Sequence, residues 1–575
     1  MSLYSGLADL YESEGLYKDH VARVTRHARV RSLYGVEDAD SDADSDPNEA
    51  ETADSPYPTT APDEAKAERI EKIDEFVRNV DTRIIREAIS RIDRHYVAAV
   101  DYRKVLAGTL RAMRVLVQSA DLTETFEGLA DQAGRAEFLA KLDAMIRETE
   151  SRDLVSHGIV AQRLNMIHRI NRNTVKIPDE VIDVEFADGM TEQLDTYTHM
   201  IWPSEVGDFN KRTMGSFFGV GIQIQMEHGL LKVISPLEDT PAFRAGIQAG
   251  DYIIKIDGKL AKNIDINDAV KLITGPRGTS VTLTIKRPGM GQFDRTIIRD
   301  EIHIQTVKGW KRVNGGEWDW MIDPANRIGY IRLTSFTADT AAKLAEALRQ
   351  LSDADARGVI LDLRHNPGGL LRTAVAVADE FLPAGKTIVS TRGRQQRESV
   401  GRATRAGSYP HGALVVLVDG YSASASEIVS GALKDHKRAL IVGTRSFGKG
   451  VVQNLIQVGR NRGPDSYALL KVTTARYYLP GGRCLHRVEG AEQWGVEPDI
   501  KVPVTPRQWN KWYSRRMRAE VIRERTPGEL DREMARQFDA DTQLATALLA
   551  CRLQALNDNP ADHAVGPAAA TATGR

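Results

Sequence analysis

The chain has 575 residues, room for several folded cores, with 42% hydrophobic and 27% charged residues, the balance of an ordinary soluble protein. A formal net charge of −2 excludes an overall pull toward nucleic acid or an anionic membrane surface, and no run approaches the ~18 apolar residues of a membrane span. Two cysteines, Cys484 and Cys551, exclude a disulfide framework and a cysteine metal cluster, leaving at most one disulfide open. At the N-terminus, MSLYSGLADLYESEGLYKDH offers a short helical start but no basic segment followed by an apolar one, so no signal peptide is visible. Residues 37–64 are rich in Asp, Glu, Ser, Pro and Ala. Such a segment cannot bury enough surface to offset its ordering entropy and is expected to be disordered.

Helical spacing begins at Ala65, with Ile70, Ile73, Phe76, Val77 and Val80 on one stripe, and continues to about Leu116. Ser119–Arg172 adds further helical sequence as an insertion. Its His157 and His168 lack partners at metal-ligand spacing and read as surface or packing histidines. Residues 215–288 change character: FFGVGIQIQ, LLKVIS, DYIIKIDG and SVTLTIKR are short β-rich runs, with PAFRAGIQAGD and INDAVKLIT as helical pieces. This stretch resembles a PDZ domain. The resemblance makes Gly219-Val220-Gly221-Ile222 a carboxylate-binding loop, beside a sheet edge to which an extended peptide would add.

The remainder alternates strand and helix, the pattern of an α/β sheet with helical cover. Strands are expected at 328–333, 358–363, 413–418, 439–442, 451–458 and 467–479, and helices at 339–351, 370–382 and 426–436. Three segments carry chemistry. Asp362–Leu371, DLRHNPGGLL, places two glycines between a strand end and a helix start, where backbone N–H groups favour negative charge. Tyr421–Glu427, YSASASE, puts a serine at a sharp strand-to-helix turn, one way to expose a hydroxyl above a rigid sheet. Ser424 and Glu427 also have the S-x-x-E spacing of a capping box, and the two roles are compatible. In Ser446–Gly450, SFGKG, apolar sequence frames Lys449, and desolvation would favour its neutral, basic form. Gly443–Gly450 approaches a phosphate-binding P-loop, but Gly450 stands where magnesium needs Ser or Thr, and a strand follows instead of a helix.

Together these segments resemble the C-terminal processing (tail-specific) serine peptidases. The resemblance implies a crotonase/ClpP-like α/β body with an inserted PDZ domain and a helical N-terminal region. It makes Ser424 the nucleophile, Lys449 the general base 25 positions on (449 − 424), and Gln453 the residue that orients it. Ala425, Gly368 and Gly369 would supply the oxyanion hole. The division that follows is 1–64 for the helical start and acidic linker, 65–200 for the helical region, 215–288 for the PDZ domain, 300–505 for the peptidase domain and 506–575 for a helical extension and tail. In the extension, Trp509 and Trp512 read as packing on the body, and the tail after Asn557 as disordered. The chemistry needs neither metal nor cofactor, and the partners expected are proteins with apolar C-terminal tails, not nucleic acid or an inserted membrane. Family members act mostly outside the cytoplasm, so the absent signal peptide implies an upstream start or a cytoplasmic member. The sequence leaves the oligomeric state open.

Rival readings are weaker. A PDZ adaptor on an inert peptidase-like scaffold has no use for Lys449. The acyl-CoA chemistry of a crotonase-like body has none for the PDZ domain. A Ser–His–Asp triad would have to draw on His365, His411, His436 or His486, none in a motif.

Overall fold

The computed structural model describes residues 16–35, 62–214, 216–313, 317–395, 397–404, 407–409, 411–460, 466–488, 490–522 and 527–557. The acidic segment expected to be disordered lies outside them up to residue 61, and so does the tail after Asn557. Cys484 and Cys551 are not bonded to one another, and each is a free thiol in this structure. The described residues form two compact units. One holds the residues up to Phe209 with Gly393–Arg397 and Val452–Ala475, and the other holds Asn210–Arg392, Glu398–Val451 and Arg476–Arg575.

The first unit is mainly helical, with strand His199–Ile201 and most of strands Val451–Val458 and Ala468–Tyr478 also in it. Its helices begin where the sequence supplies caps: Asp81 accepts from Arg83 N and Ile84 N at 2.9 and 3.2 Å to start Thr82–His95, and Asp101 does the same for Tyr102–Gln118, each satisfying N–H groups that a helix start leaves open. Ile84, Ile85, Ala88, Ile89 and Ile92 are buried at helical spacing, and Ile73, Val77 and Val80 of the expected stripe are buried while Ile70 is exposed. Phe138, Leu142, Val160 and Leu164, from the segment read as an insertion, are buried in the same core.

His168 is more than a packing residue. Its Nδ1 lies 3.0 Å from Asp179 Oδ1 and its Nε2 2.9 Å from Asp183 Oδ1. Burial alone would depress its pKa, but the hydrogen bonds and charges of Asp183 and Asp179 hold it above the usual histidine value. The resulting stabilisation is complete below the ordinary histidine range and fades as pH rises through the raised value. His168→Leu removes the partner of buried Asp183 and should cost about 3–5 kcal/mol, the scale of a broken buried pair. A lower urea midpoint by circular dichroism is the readout, and an unchanged midpoint at pH 6 would count against the pairing.

The second unit begins with a small sheet: β1 (Ile222–Glu227), β2 (Leu230–Pro236), β3 (Tyr252–Ile256), β4 (Ser280–Arg287) and β5 (Gly291–Ile298), joined antiparallel in that order, with β1 at its edge. Helix α1 (Ile266–Ile273), started by Asp265, contributes Ala269 and Ile273 to the core beneath.

The larger sheet of this unit has the order β6 (Val307–Lys308), β8 (Ile328–Leu333), β9 (Gly358–Asp362), β10 (Ala413–Val418), β11 (Leu440–Gly443), β12 (Ile500–Lys501), with β7 (Met321–Asp323) also on β8. From β8 to β12 every pairing is parallel. Strands β8, β9 and β10 are buried throughout, as parallel strands covered on both faces must be, and therefore read as unbroken apolar runs. Helices α2 (Thr340–Asp353) and α3 (Leu371–Asp379) follow β8 and β9, and α4 (Ala425–Asp435) follows β10. After β12 come α5 (Pro506–Glu520), α6 (Pro527–Asp539) and α7 (Thr542–Asn557). Leu544, Ala547, Leu548 and Cys551 of α7 share a core with Ile360, Val415 and Val442 of the sheet. The second unit thus holds a small antiparallel sheet domain and an α/β body whose parallel sheet is covered by helices, and the first unit is mainly helical.

Candidate active site

In an open parallel sheet the carboxyl ends of the strands are where chemistry collects. The residue that caps α4 after β10 is Ser424, half-buried, with φ 55° and ψ −112°. A non-glycine residue rarely adopts such a backbone, which costs on the order of 1–3 kcal/mol and persists only where the surroundings impose it. The conformation lifts the side chain out of the strand-to-helix turn. Ala425 is the first residue of α4, so its N–H is among the donors that a helix start leaves without an intrahelical acceptor.

Glu427 explains what holds the turn. Its side chain is fully buried. Oε2 accepts from Ser424 N and from Lys449 N, each at 2.8 Å, and Oε1 accepts from Ser446 Oγ and Gly448 N, each at 2.6 Å. Burial raises its pKa above the usual carboxylate range, while the four donated bonds pull it down. All four partners donate, so they favour the ionised form. The sequence showed only the local bond, because a capping-box spacing accounts for Glu427 without any distant partner. In space the same carboxylate ties the serine segment to the lysine segment: one oxygen receives both Ser424 and Lys449. Phe447 N adds a bond to Ser422 O at 3.0 Å. Lys449 itself is half-buried.

The glycine turn closes on the serine from the other side. A Cβ placed on Gly368 would lie 2.8 Å from Ser424 Cβ, 2.9 Å from Ala425 N and 2.7 Å from Ala423 O, and φ at Gly368 is 98°. Only glycine meets both conditions. Asn366 pins the turn. Its carbonyl accepts from Ala423 N at 3.0 Å and Ser426 Oγ at 2.9 Å, and its amide donates to Leu333 O at 2.8 Å. The expectation that Gly368 donates to an oxyanion needs amendment, because its N–H already goes to Asn366 Oδ1 at 2.9 Å. Gly368 contributes closeness instead. The bonds flanking Gly369, Phe336 N to Gly368 O and Leu370 N to Phe336 O, do not use the Gly369 N–H.

Gln453 lies in the first unit, where its amide reaches Thr473 Oγ1 at 3.5 Å. The ring Nδ1 of His365 is buried with no hydrogen-bond partner among the described residues, and His436 Nε2 lies 2.7 Å from Thr387 O, so neither shows the carboxylate pairing of a triad. In the small sheet, Val220 is buried and its carbonyl accepts from Ala242 N, while Gly221 O accepts from Leu237 N and Thr240 Oγ1. At Gly221, φ is 79° and an added Cβ would sit 2.3 Å from Thr240 Cβ, so this loop too requires glycine. With its carbonyls held from behind, the loop precedes the edge strand β1, where Ile222 follows. Among the described residues no group of His, Cys, Asp or Glu could hold a metal ion, and no helix is long and apolar enough to cross a membrane.

Comparison with known proteins matches the sequence to a family. The profile of Peptidase family S41 fits residues 327–502, and a PDZ domain profile fits residues 232–287. A carboxy-terminal-processing protease of Bartonella bacilliformis is 41% identical over 345 residues, which cover 59% of this chain and 74% of that one. The chain belongs to peptidase family S41. It is a serine-type peptidase carrying a PDZ domain. Two further relatives of the peptidase are a probable CtpA-like serine protease of Staphylococcus haemolyticus, 32% identical over 374 residues (61% and 70% of the two chains), and the carboxy-terminal processing protease CtpA of Bacillus subtilis, 33% identical over 314 residues (54% and 62%).

Proposed function

We propose that this peptidase cleaves proteins near their C-termini with a Ser424–Lys449 dyad, and that its PDZ domain selects them by the terminal carboxylate. The observation that carries the first part is the Glu427 carboxylate, whose one oxygen holds the backbones of both residues. The neutral Lys449 amine accepts the Ser424 proton as Oγ attacks the scissile carbonyl. The developing oxyanion meets the N–H groups of Ala425 and Gly369, at the start of α4 where the helix dipole also favours negative charge. Collapse expels the amine, which takes the proton from Lys449, and water hydrolyses the acyl-enzyme with Lys449 again as base.

Tail selection rests on the Gly219-Val220-Gly221-Ile222 loop and the edge strand β1, which suit a peptide that adds to the sheet and presents its terminal charge to backbone N–H groups. The test uses one apolar-ended peptide in two forms, free acid and amide, titrated against full-length protein carrying Ser424→Ala to prevent turnover. Amidation removes the charge and should weaken binding by about 1.5–3 kcal/mol, the scale of a charged hydrogen bond. The wild-type enzyme should cleave the acid form in preference. Equal affinity for both forms would show that the loop does not read the terminus.

A further inference from the structure

The turn that carries Gly368 is gripped from behind by residues far along the chain. Arg364, two positions past the end of β9, is 2% exposed. Its guanidinium forks onto Asp362 (Nε to Oδ1 3.0 Å, Nη2 to Oδ2 2.6 Å) and onto Asp541 (Nη1 to Oδ1 2.8 Å, Nη2 to Oδ2 2.9 Å), with Gln543 Oε1 at 3.2 Å. It also lies 4.3 Å from the centre of the Trp512 ring. The next residue, His365, has φ 56°, and its ring stands 5.1 Å from both Trp509 and Tyr513 of α5 and 4.9 Å from Tyr421. Its backbone N–H goes to Asp419 Oδ1 at 3.0 Å, the oxygen that also receives Tyr421 N and Ser422 N. One side of the turn is therefore tied to the serine segment and the other to α5 and the start of α7.

Stability alone is a poor account of this arrangement. Taking a guanidinium and two carboxylates out of water costs several kcal/mol per ion, and apolar residues of similar volume often do as well or better. What apolar packing lacks is direction. A guanidinium held in two carboxylate forks and stacked on an indole has a single orientation, and its backbone is four residues from Gly368.

Resting on the reading of Ser424 as nucleophile, we propose that α5 and the start of α7, beyond the matched peptidase region, form a positioning element of the catalytic centre. Asp541 and Trp512 act through Arg364, and Trp509 and Tyr513 through His365, to set where the glycine turn meets Ser424. None of the four touches a reacting atom. A misplacement of about 1 Å at an active site costs up to ~10²-fold in rate, so small losses of grip are measurable.

The test uses the full-length chain, a fluorogenic peptide ending in an apolar residue with a free carboxylate, and the corresponding peptide aldehyde as inhibitor. The aldehyde's hemiacetal oxygen occupies the oxyanion position. Asp541→Asn should lower kcat roughly 10- to 100-fold, leave KM within about twofold, and weaken the aldehyde by the same factor as kcat. Trp512→Phe, which keeps an aromatic face for Arg364, should recover most of what Trp512→Ala loses. Should Asp541→Asn fail to fold, Trp509→Leu on the half-buried face of α5 decides by the same ratio. The proposal is overturned if a folded variant turns over normally, or if kcat falls while aldehyde affinity stays unchanged. Ser424→Ala, run alongside, separates the two readings: if it still turns over peptide, the nucleophile assignment has failed and not the positioning role.

Discussion

Alanine at Ser424 and alanine at Lys449 are each expected to reduce turnover to the same floor, on the order of 10⁴–10⁶ below the parent in kcat, with the double variant no lower. In the proposed dyad the two side chains form one proton-transfer unit, so losing either loses the whole. Neither change should unfold the protein. Both side chains are only half-buried, and the bonds that fix their positions run from backbone N–H groups to Glu427, which both alanine variants retain. Lys449→Arg sharpens the result: a guanidinium stays charged at any working pH and cannot accept the serine proton. That variant should be as inactive as the alanine, whereas a purely electrostatic lysine would tolerate it. Steady-state kinetics with circular dichroism as the folding control make the measurement. Near-normal turnover by Lys449→Ala would remove the lysine from the mechanism.

Gly368→Ala is expected to have the next largest effect. The atoms an added Cβ would meet are Ala423 O at 2.7 Å, Ser424 Cβ at 2.8 Å and Ala425 N at 2.9 Å. Two are backbone atoms and the third is fixed to the nucleophile, so no flexible side chain can swing aside. The backbone at φ 98° adds strain for any residue with a Cβ. The turn must move away from Ser424 or push Ser424 away from Ala425, and in either case a proposed oxyanion donor is misaligned. Losing one such donor costs about 10²–10³ in rate, and kcat should fall by that much with little change in peptide binding at the PDZ loop. A Gly368→Ala enzyme with more than about a tenth of wild-type kcat would mean that the turn does not approach the nucleophile during the reaction.

Much of this was legible in the sequence because local rules decide it. Strands β8 to β11 and helices α2 to α4 lie within a few residues of where periodicity puts them. Parallel strands covered on both faces are continuous apolar runs, and the helices between them keep their spacing. The P-loop resemblance around Lys449 fails for a local reason as well, since Val451–Val458 is a strand. Ser424 and Lys449 stand out because three short segments in a fixed order carry the family resemblance, and the glycines around them mark places where no Cβ fits.

The sequence by itself thus determined the family, the α/β body with its PDZ insertion, and the two residues proposed for the chemistry. Tertiary structure alone decided what holds them. Glu427 looked like half of a capping box, yet three of its four donors lie 19 to 22 residues away. Gly368 looked like an oxyanion donor, but its N–H had already been taken by Asn366. His168 looked like ordinary packing until Asp179 and Asp183 closed on it, and Asp541 lies 177 residues from the arginine it grips. The physical reason is common to all of them. Periodicity and motif spacing record interactions within a helix turn or a strand, whereas a buried polar group must find a partner wherever folding brings one, and neither sequence distance nor composition records which partner that is.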